Sequence, residues 1–176
     1  MTDFADVHAS LNPELGRTEG EFALKTRDDN RLAVDALLPL AHRRIEIFTR
    51  DLDPPLYDRS PVVEAMTQFA LRHRNCRIRI LTHDVEPAVK AGNRLIELCR
   101  RLSTYAEIRR SHEDYRERSD TFLLVDDYGL LERKLASRFE GRVSFKLPLE
   151  VRRLRSEFDE VWERSSTDPE LRRLHL

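Results

Sequence analysis

The stretch SDTFLLVDDYG, residues 119–129, decides how the chain folds. Its centre, TFLLVDD (121–127), is too continuously apolar for a strand with one wet face, so it belongs in the middle of a sheet. DDYG has the residues of a tight turn, and LLERKL beyond it reads as an antiparallel partner. Downstream, GRVSFK (141–146) is another strand. Pro148 then opens a helix that aligns Val151, Leu154, Phe158, Val161 and Trp162. Upstream, RIEIFTR (44–50) and CRIRILTH (76–83) alternate with period two, Ile78 and Ile80 on one side and Arg77 and Arg79 on the other. AEIRR (106–110) is a third short strand.

Helical patterns separate these strands. Leu32, Ala33, Ala36, Leu37 and Leu40 follow an Asp-Asp-Asn start that supplies caps. Ser60 and Pro61 read as an N-cap and first-turn pair before Val62, Val63, Met66, Phe69 and Ala70. Leu95, Leu98, Cys99 and Leu102 line a further helix. Strands alternating with helices imply right-handed crossovers, hence an α/β fold with a mixed, mainly parallel sheet covered by helices on both faces. The boundaries predicted are a loose N-terminal arm over 1–20, one domain over 21–166 with EFALKT as a short edge strand, and a C-terminal tail over 167–176.

Composition narrows the function classes. The 31 Lys and Arg nearly cancel 32 Asp and Glu, and the net charge of -1 argues against a protein that coats nucleic acid by bulk positive charge. A local basic patch is not excluded. Charged residues make up 36% of the chain, so the surface must be densely ionic. Cys76 and Cys99 lie in apolar patterns without a CxxC spacing, which predicts free thiols and a reducing cytoplasm. No apolar run approaches the roughly 20 residues that span a bilayer, and MTDFADVHAS lacks the features of a signal peptide. A soluble cytoplasmic protein without membrane contact is expected.

With that element order, the 119–134 segment resembles one half of a phospholipase D-like domain. Active members carry a His, one residue and a Lys at the start of this strand, then four apolar residues and an Asp, then a small-residue pair after the turn. Here Ser119 stands for the His and Thr121 for the Lys. Phe122, Leu123, Leu124 and Val125 fill the apolar run, Asp126 keeps the Asp, and Arg133 and Lys134 fall near the small pair. The resemblance implies the fold without the chemistry, because a phosphoryl-accepting nucleophile needs an imidazole and the lysine stabilises phosphoryl charge. Residues 28–164 also resemble an uncharacterised bacterial family of degenerate domains of this kind. Some members are fused to an acetyltransferase, but no Gly-rich acetyl-CoA loop exists here. Active enzymes of this kind pair two halves, so a homodimer through the surface around Ser119 and Thr121 is expected.

In open α/β sheets ligands gather beyond the C-terminal strand ends. That rule collects Thr49 and Asp51 after one strand and Thr82, His83 and Asp84 after the next, beside Ser119, Thr121 and Lys134. The competing reading, more common for Thr and Asp at strand ends, is local capping. His83 with Asp84, or His112 with Glu113, offers an acid/base pair only if the fold aims both side chains at one point. No metal-ligand spacing, P-loop or G-x-G-x-x-G is present, so no cofactor or metal is expected. RRSHEDYRERSD (109–120) reads as a solvated loop, and its sharper reading is a partner or nucleotide contact with Tyr115 as the anchor. Arg72, Arg74, Arg77 and Arg79 form a basic stripe unless carboxylates pair with them. The function expected is a non-catalytic binding or assembly module for a small anionic ligand or a protein partner. The alternatives are a phosphodiesterase or nuclease using His83 or His112, and a nucleic-acid-binding protein that has lost hydrolysis.

Overall fold

A computed structural model describes residues 1–172 of the chain. Its strands are β1 (Thr2–Asp3), β2 (Glu21–Leu24), β3 (Arg44–Thr49), β4 (Arg77–Thr82), β5 (Ala106–Arg110), β6 (Thr121–Val125), β7 (Gly129–Arg133) and β8 (Gly141–Ser144). They form one sheet in the order β1-β2-β8-β7-β6-β3-β4-β5. The apolar stretch 121–125 is β6, fourth from the β5 edge, paired with β3 on one side and β7 on the other. All five of its residues are buried.

Helices cover both faces, as the α/β pattern requires. On one face α7 (Pro148–Arg164) packs Val151, Leu154, Phe158 and Val161 onto Phe122 and Leu124 of β6, with Phe48 and Leu81 beside them. On the other, α2 (Arg27–Leu37), α4 (Ser60–Arg72) and α6 (Arg94–Arg101) bury Val34, Met66, Phe69 and Leu95 in one cluster with Leu123 and Val125. Alternation along β6 thus sends successive side chains into two different cores. Each fully buried Leu stabilises the fold by about 1.5–3 kcal/mol relative to exposure. Three short helices, α1 (Phe4–Val7), α3 (Pro54–Tyr57) and α5 (Glu86–Ala91), and a terminal turn of helix, α8 (Pro169–Arg172), complete the chain.

The structure departs from the sequence reading in five places. The sheet is mixed, but its parallel part is confined to β3-β4-β5 and the two-residue pairing of β1 with β2; the pairs β3-β6, β6-β7, β7-β8 and β8-β2 are antiparallel. The cause is the short link from β5 to β6, since a parallel strand needs a crossover of a dozen or more residues. The N-terminal arm is docked rather than loose. Its β1 pairs with β2, which is therefore not the edge, and Phe4 packs on Phe22 and Phe145 at ring distances of 5.8 and 6.2 Å. Ser60 is the first residue of α4, not its cap; Arg59 holds that place without a side-chain bond. The cap of α2 is Thr26, in a reciprocal box with Asp29. In the expected tail, Leu171 is buried against the main cluster, and residues 173–176 lie outside the described part.

Candidate functional site

The topology brings the exits of β3 and β4, the entry of β6 and the exit of β7 to one end of the sheet. Register places Thr49 beside Thr82, Phe48 beside Phe122, and Thr121 beside Arg133. Thr49, Thr82, His83, Ser119, Thr121 and Lys134 therefore share that end, as the strand-end rule anticipates.

Their side chains, however, are engaged with the fold itself. The Thr121 hydroxyl, buried, donates to the Phe48 carbonyl at 2.6 Å. The Ser119 hydroxyl is exposed and meets only the Lys134 carbonyl, at 3.4 Å. Thr49 accepts from the Leu52 amide at 2.9 Å and Asp51 from the Asp53 amide at 3.2 Å, which fixes the loop where Leu52 and Asp53 adopt positive φ. The Thr82 hydroxyl lies within 3.1 Å of the Arg50 carbonyl, and Asp84 accepts from the Glu86 amide at 3.0 Å. The Lys134 ammonium donates to Glu132 at 2.7 Å. These are the capping roles that compete with a ligand role for such residues.

The two histidines are placed differently. His83 Nδ1 is hydrogen-bonded to the Ser111 hydroxyl at 2.5 Å, and its ring stands edge-on to Phe48 at 5.3 Å. Its Nε2 is buried and makes no regular hydrogen bond. Burial holds the His83 pKa below the ordinary histidine value, against the Arg118 backbone and Asp120, which favour the charged ring. A cavity of only about 10 Å³, lined by His83, Arg110, Ser111, Glu113 and Arg116, adjoins the ring. That is room for one water at most. His112 is exposed and caps a 3-10 turn, accepting from the Asp114 amide at 3.2 Å. Asp84 does not hydrogen-bond His83, nor Glu113 His112, so neither adjacent pair forms a dyad.

Internal ion pairs that the sequence does not announce close this end further. Arg133, 1% exposed, pairs with Asp53 and donates to the Arg138 carbonyl at 3.0 Å. Burial draws its pKa down to about 10, which leaves it cationic at neutral pH. The guanidinium of Arg118 lies over Phe48 and Phe122 at 5.0 and 5.6 Å and binds Asp120 and Glu157. On the α7 face Glu46, fully buried, accepts from Arg79 at 2.9 Å and Arg155 at 3.0 Å. The one sequence signal for this network was the period-two pattern that set Arg79 opposite the inward isoleucines.

Asp126, the residue of the familiar strand pattern that survives here, stands at the other end of β6. Its carboxylate accepts the backbone N–H groups of His42, Arg43 and Arg44 at 2.8, 2.8 and 3.0 Å. It ties the β6-β7 turn to the start of β3, a structural task. Larger clefts, of about 490 and 430 Å³, flank this turn around Asp127 and Tyr128. Among the described residues no cluster of His, Cys, Asp and Glu has an arrangement able to hold a metal ion. No described helix is long and apolar enough to cross a membrane.

The family model for a domain of unknown function, DUF7931, matches residues 26–174. The chain belongs to that family. No curated protein matches it. Among the solved structures that share its fold are two of known description. TrmBL2, an archaeal chromatin protein whose structure shows a novel mode of DNA binding, aligns with a TM-score of 0.64 and 15% identity over 94% of this chain. The chain spans 60% of the length of that protein. Nuc from Salmonella typhimurium, a phospholipase D family member, aligns with a TM-score of 0.60 and 11% identity, covering 84% of this chain and 96% of Nuc. At these identities the likeness is one of fold: this DUF7931 domain has a phospholipase D-like fold.

Proposed function

We propose that this DUF7931 domain is a non-catalytic, degenerate phospholipase D-like module that binds or assembles rather than hydrolyses. The observation that carries the reading is Thr121. At the position of the lysine in the strand pattern, its hydroxyl is buried and spent on the Phe48 carbonyl. Ser119, at the histidine position, has no base beside it: its hydroxyl meets a backbone carbonyl only. A relocated nucleophile is disfavoured, since His83 is walled in by Ser111 and Phe48 and His112 is occupied as a cap. Arg133, where the pattern places a small residue, fills its own space with an internal ion pair. The partners that suit such a module are a second copy of the chain, a protein, or an anion. The DNA binding named for the chromatin protein puts nucleic acid first among the anions.

Hydrolysis of bis(p-nitrophenyl) phosphate by the purified protein tests the reading. Release of nitrophenolate at the buffer rate is expected. Turnover that disappears in His83→Ala or His112→Ala overturns it.

A further inference from the structure

The stripe of arginines singled out in the sequence divides in the structure. Arg79 turns under α7 and is neutralised by Glu46 and Asp159. Arg72, Arg74 and Arg77 are exposed and form no ion pair with any described carboxylate, and neither does Arg43 beside them. Most other arginines of this densely charged chain do. The four belong to one surface at the N-terminal ends of β3 and β4. Arg44 and Arg77 are register partners, the Arg77 amide donates to the Arg43 carbonyl at 3.1 Å, and the Arg72 guanidinium donates to the Ala41 carbonyl at 2.9 Å. Arg77 donates to the carbonyls of Arg74 and Cys76 at 2.8 and 2.7 Å. The backbone carbonyls hold the guanidiniums of Arg72 and Arg77 in place and leave their charge uncompensated, while those of Arg43 and Arg74 make no described hydrogen bond.

The sequence explains why. Residues 36–45 and 65–83 contain no Asp or Glu, and the fold lays the two segments side by side. The nearest acids are committed elsewhere. Asp126 accepts three backbone amides, and Asp127 pairs with Arg44 and Arg155, which leaves Arg43 in its field but beyond ion-pair distance. A chain of net charge -1 thus presents a compact, unneutralised cationic face, at the end of the sheet opposite Ser119 and Thr121.

We propose that this face binds the phosphodiester backbone of nucleic acid. The inference rests on the binding-module reading, but not on which end of the sheet is the remnant cleft. A protein partner would need an apolar or aromatic anchor at the centre of its contact, and a membrane surface would need an apolar face to insert. Here two large apolar side chains are exposed, Leu71 (64%) next to Arg72 in the chain and Tyr128 (40%) in the cleft that Arg43 lines, and the four arginines outnumber them. What the face offers is planar, permanently charged forks on a rigid sheet end, which suit phosphate oxygens. Such contacts position a backbone and carry no base reading.

The test is fluorescence anisotropy of a labelled 20-base-pair duplex at 50–200 mM salt. If the four arginines each neutralise one phosphate, log K falls with log salt at a slope of about -3.6, an affinity loss on the order of 100-fold across that range. In Arg43→Gln/Arg74→Gln/Arg77→Gln, the slope shrinks to about -0.9. A melting curve verifies that this variant is folded, and Arg74→Glu alone, at a side chain without contacts, supplies a second perturbation. Absence of wild-type binding at 50 mM salt overturns the inference. So does a triple variant with the wild-type slope, or an equal loss in Arg50→Gln/Arg116→Gln/Arg138→Gln at the opposite end. Competition by polyglutamate or anionic vesicles as strong as by unlabelled duplex overturns the choice of nucleic acid. Cleavage of the duplex on a denaturing gel, with binding intact, sinks the non-catalytic reading and leaves this one standing.

Discussion

Replacing Glu46 by Ala should be among the most destabilising single changes in the molecule, although no apolar group is lost. Glu46 is fully buried in β3 and accepts one guanidinium on each carboxylate oxygen, Arg79 at 2.9 Å and Arg155 at 3.0 Å. Arg155 is itself 9% exposed at its side chain and continues to Asp127 at 3.1 Å and to the Asp126 carbonyl. Removing the carboxylate leaves that guanidinium buried with a single anionic partner. Breaking a buried pair in this way costs about 3–5 kcal/mol. For a domain of this size that is a fall in melting temperature of roughly 6–20 °C. The matched control is Arg153→Ala on the same helix, whose pairs with Glu150 and Glu157 lie at the surface and are worth about 0–1 kcal/mol. Urea unfolding followed by circular dichroism measures both. A Glu46→Ala variant within about 1 kcal/mol of wild type refutes the reasoning. The double variant Glu46→Ala/Arg155→Ala should cost less than the sum of the two single changes, because each single change strands the other's charge.

Four further outcomes are expected. Leu124→Asp buries an unpaired carboxylate between β3 and β7 and should leave the protein unfolded by circular dichroism; near-native melting would mean β6 is not central. Gly141→Ala should cost about 1–3 kcal/mol, since a Cβ there would lie 2.4 Å from the Glu132 carbonyl oxygen and force β7 and β8 apart; unchanged urea midpoints would contradict this. His83, held below its unfolded value by burial, is protonated first in the unfolded chain as pH drops below about 6.5, so its share of stability is lost on acidification. Urea midpoints at pH 7.5 and 5.5 should then differ less in His83→Gln than in wild type, and equal differences would count against it. Sedimentation at micromolar concentration should show a dimer burying about 1,000 Å² or more, and a clean monomer near 20.8 kDa removes the assembly reading.

The fold was legible wherever burial imposed a period. The continuous apolar run of β6, the alternation in β3 and β4 and the amphipathic stripe of α7 each appear where the pattern placed them. The docked N-terminal segment escaped notice because it holds through scattered contacts, Phe4, Val7, Leu11 and Leu15 on the core and a two-residue strand, which no single period joins. The candidate site was legible as a location but not as chemistry. Topology alone brings Thr49, Thr82, Ser119 and Thr121 to one sheet end, while the partner of each hydroxyl depends on loop geometry that composition does not encode. Long-range ion pairs were the least legible. Arg133 and Asp53 stand 80 residues apart, and nothing in their neighbourhoods announces that they meet.

The same accounting of charge separates the two ends of the sheet. At the end where the strand pattern would place a phosphate, Arg118 and Arg133 are present but already neutralised by Asp120, Glu157 and Asp53. An anion arriving there must displace a carboxylate from a partly or fully buried guanidinium, and any gain from the new contact is offset by the carboxylate left behind. At the opposite end Arg74 and Arg77 are exposed with no ion-pair partner to displace, and Arg43 feels Asp127, already paired with Arg44 and Arg155, only beyond ion-pair distance. An anion there gives up only water and loosely held counterions, whose release favours binding. Arginines without an ion pair to a described carboxylate stand at both ends, Arg50, Arg116 and Arg138 at the first and Arg43, Arg72, Arg74 and Arg77 at the second, but the first three lie in acid-rich stretches whereas 36–45 and 65–83 contain no Asp or Glu. On physical grounds the second is the end from which an anionic partner should be sought.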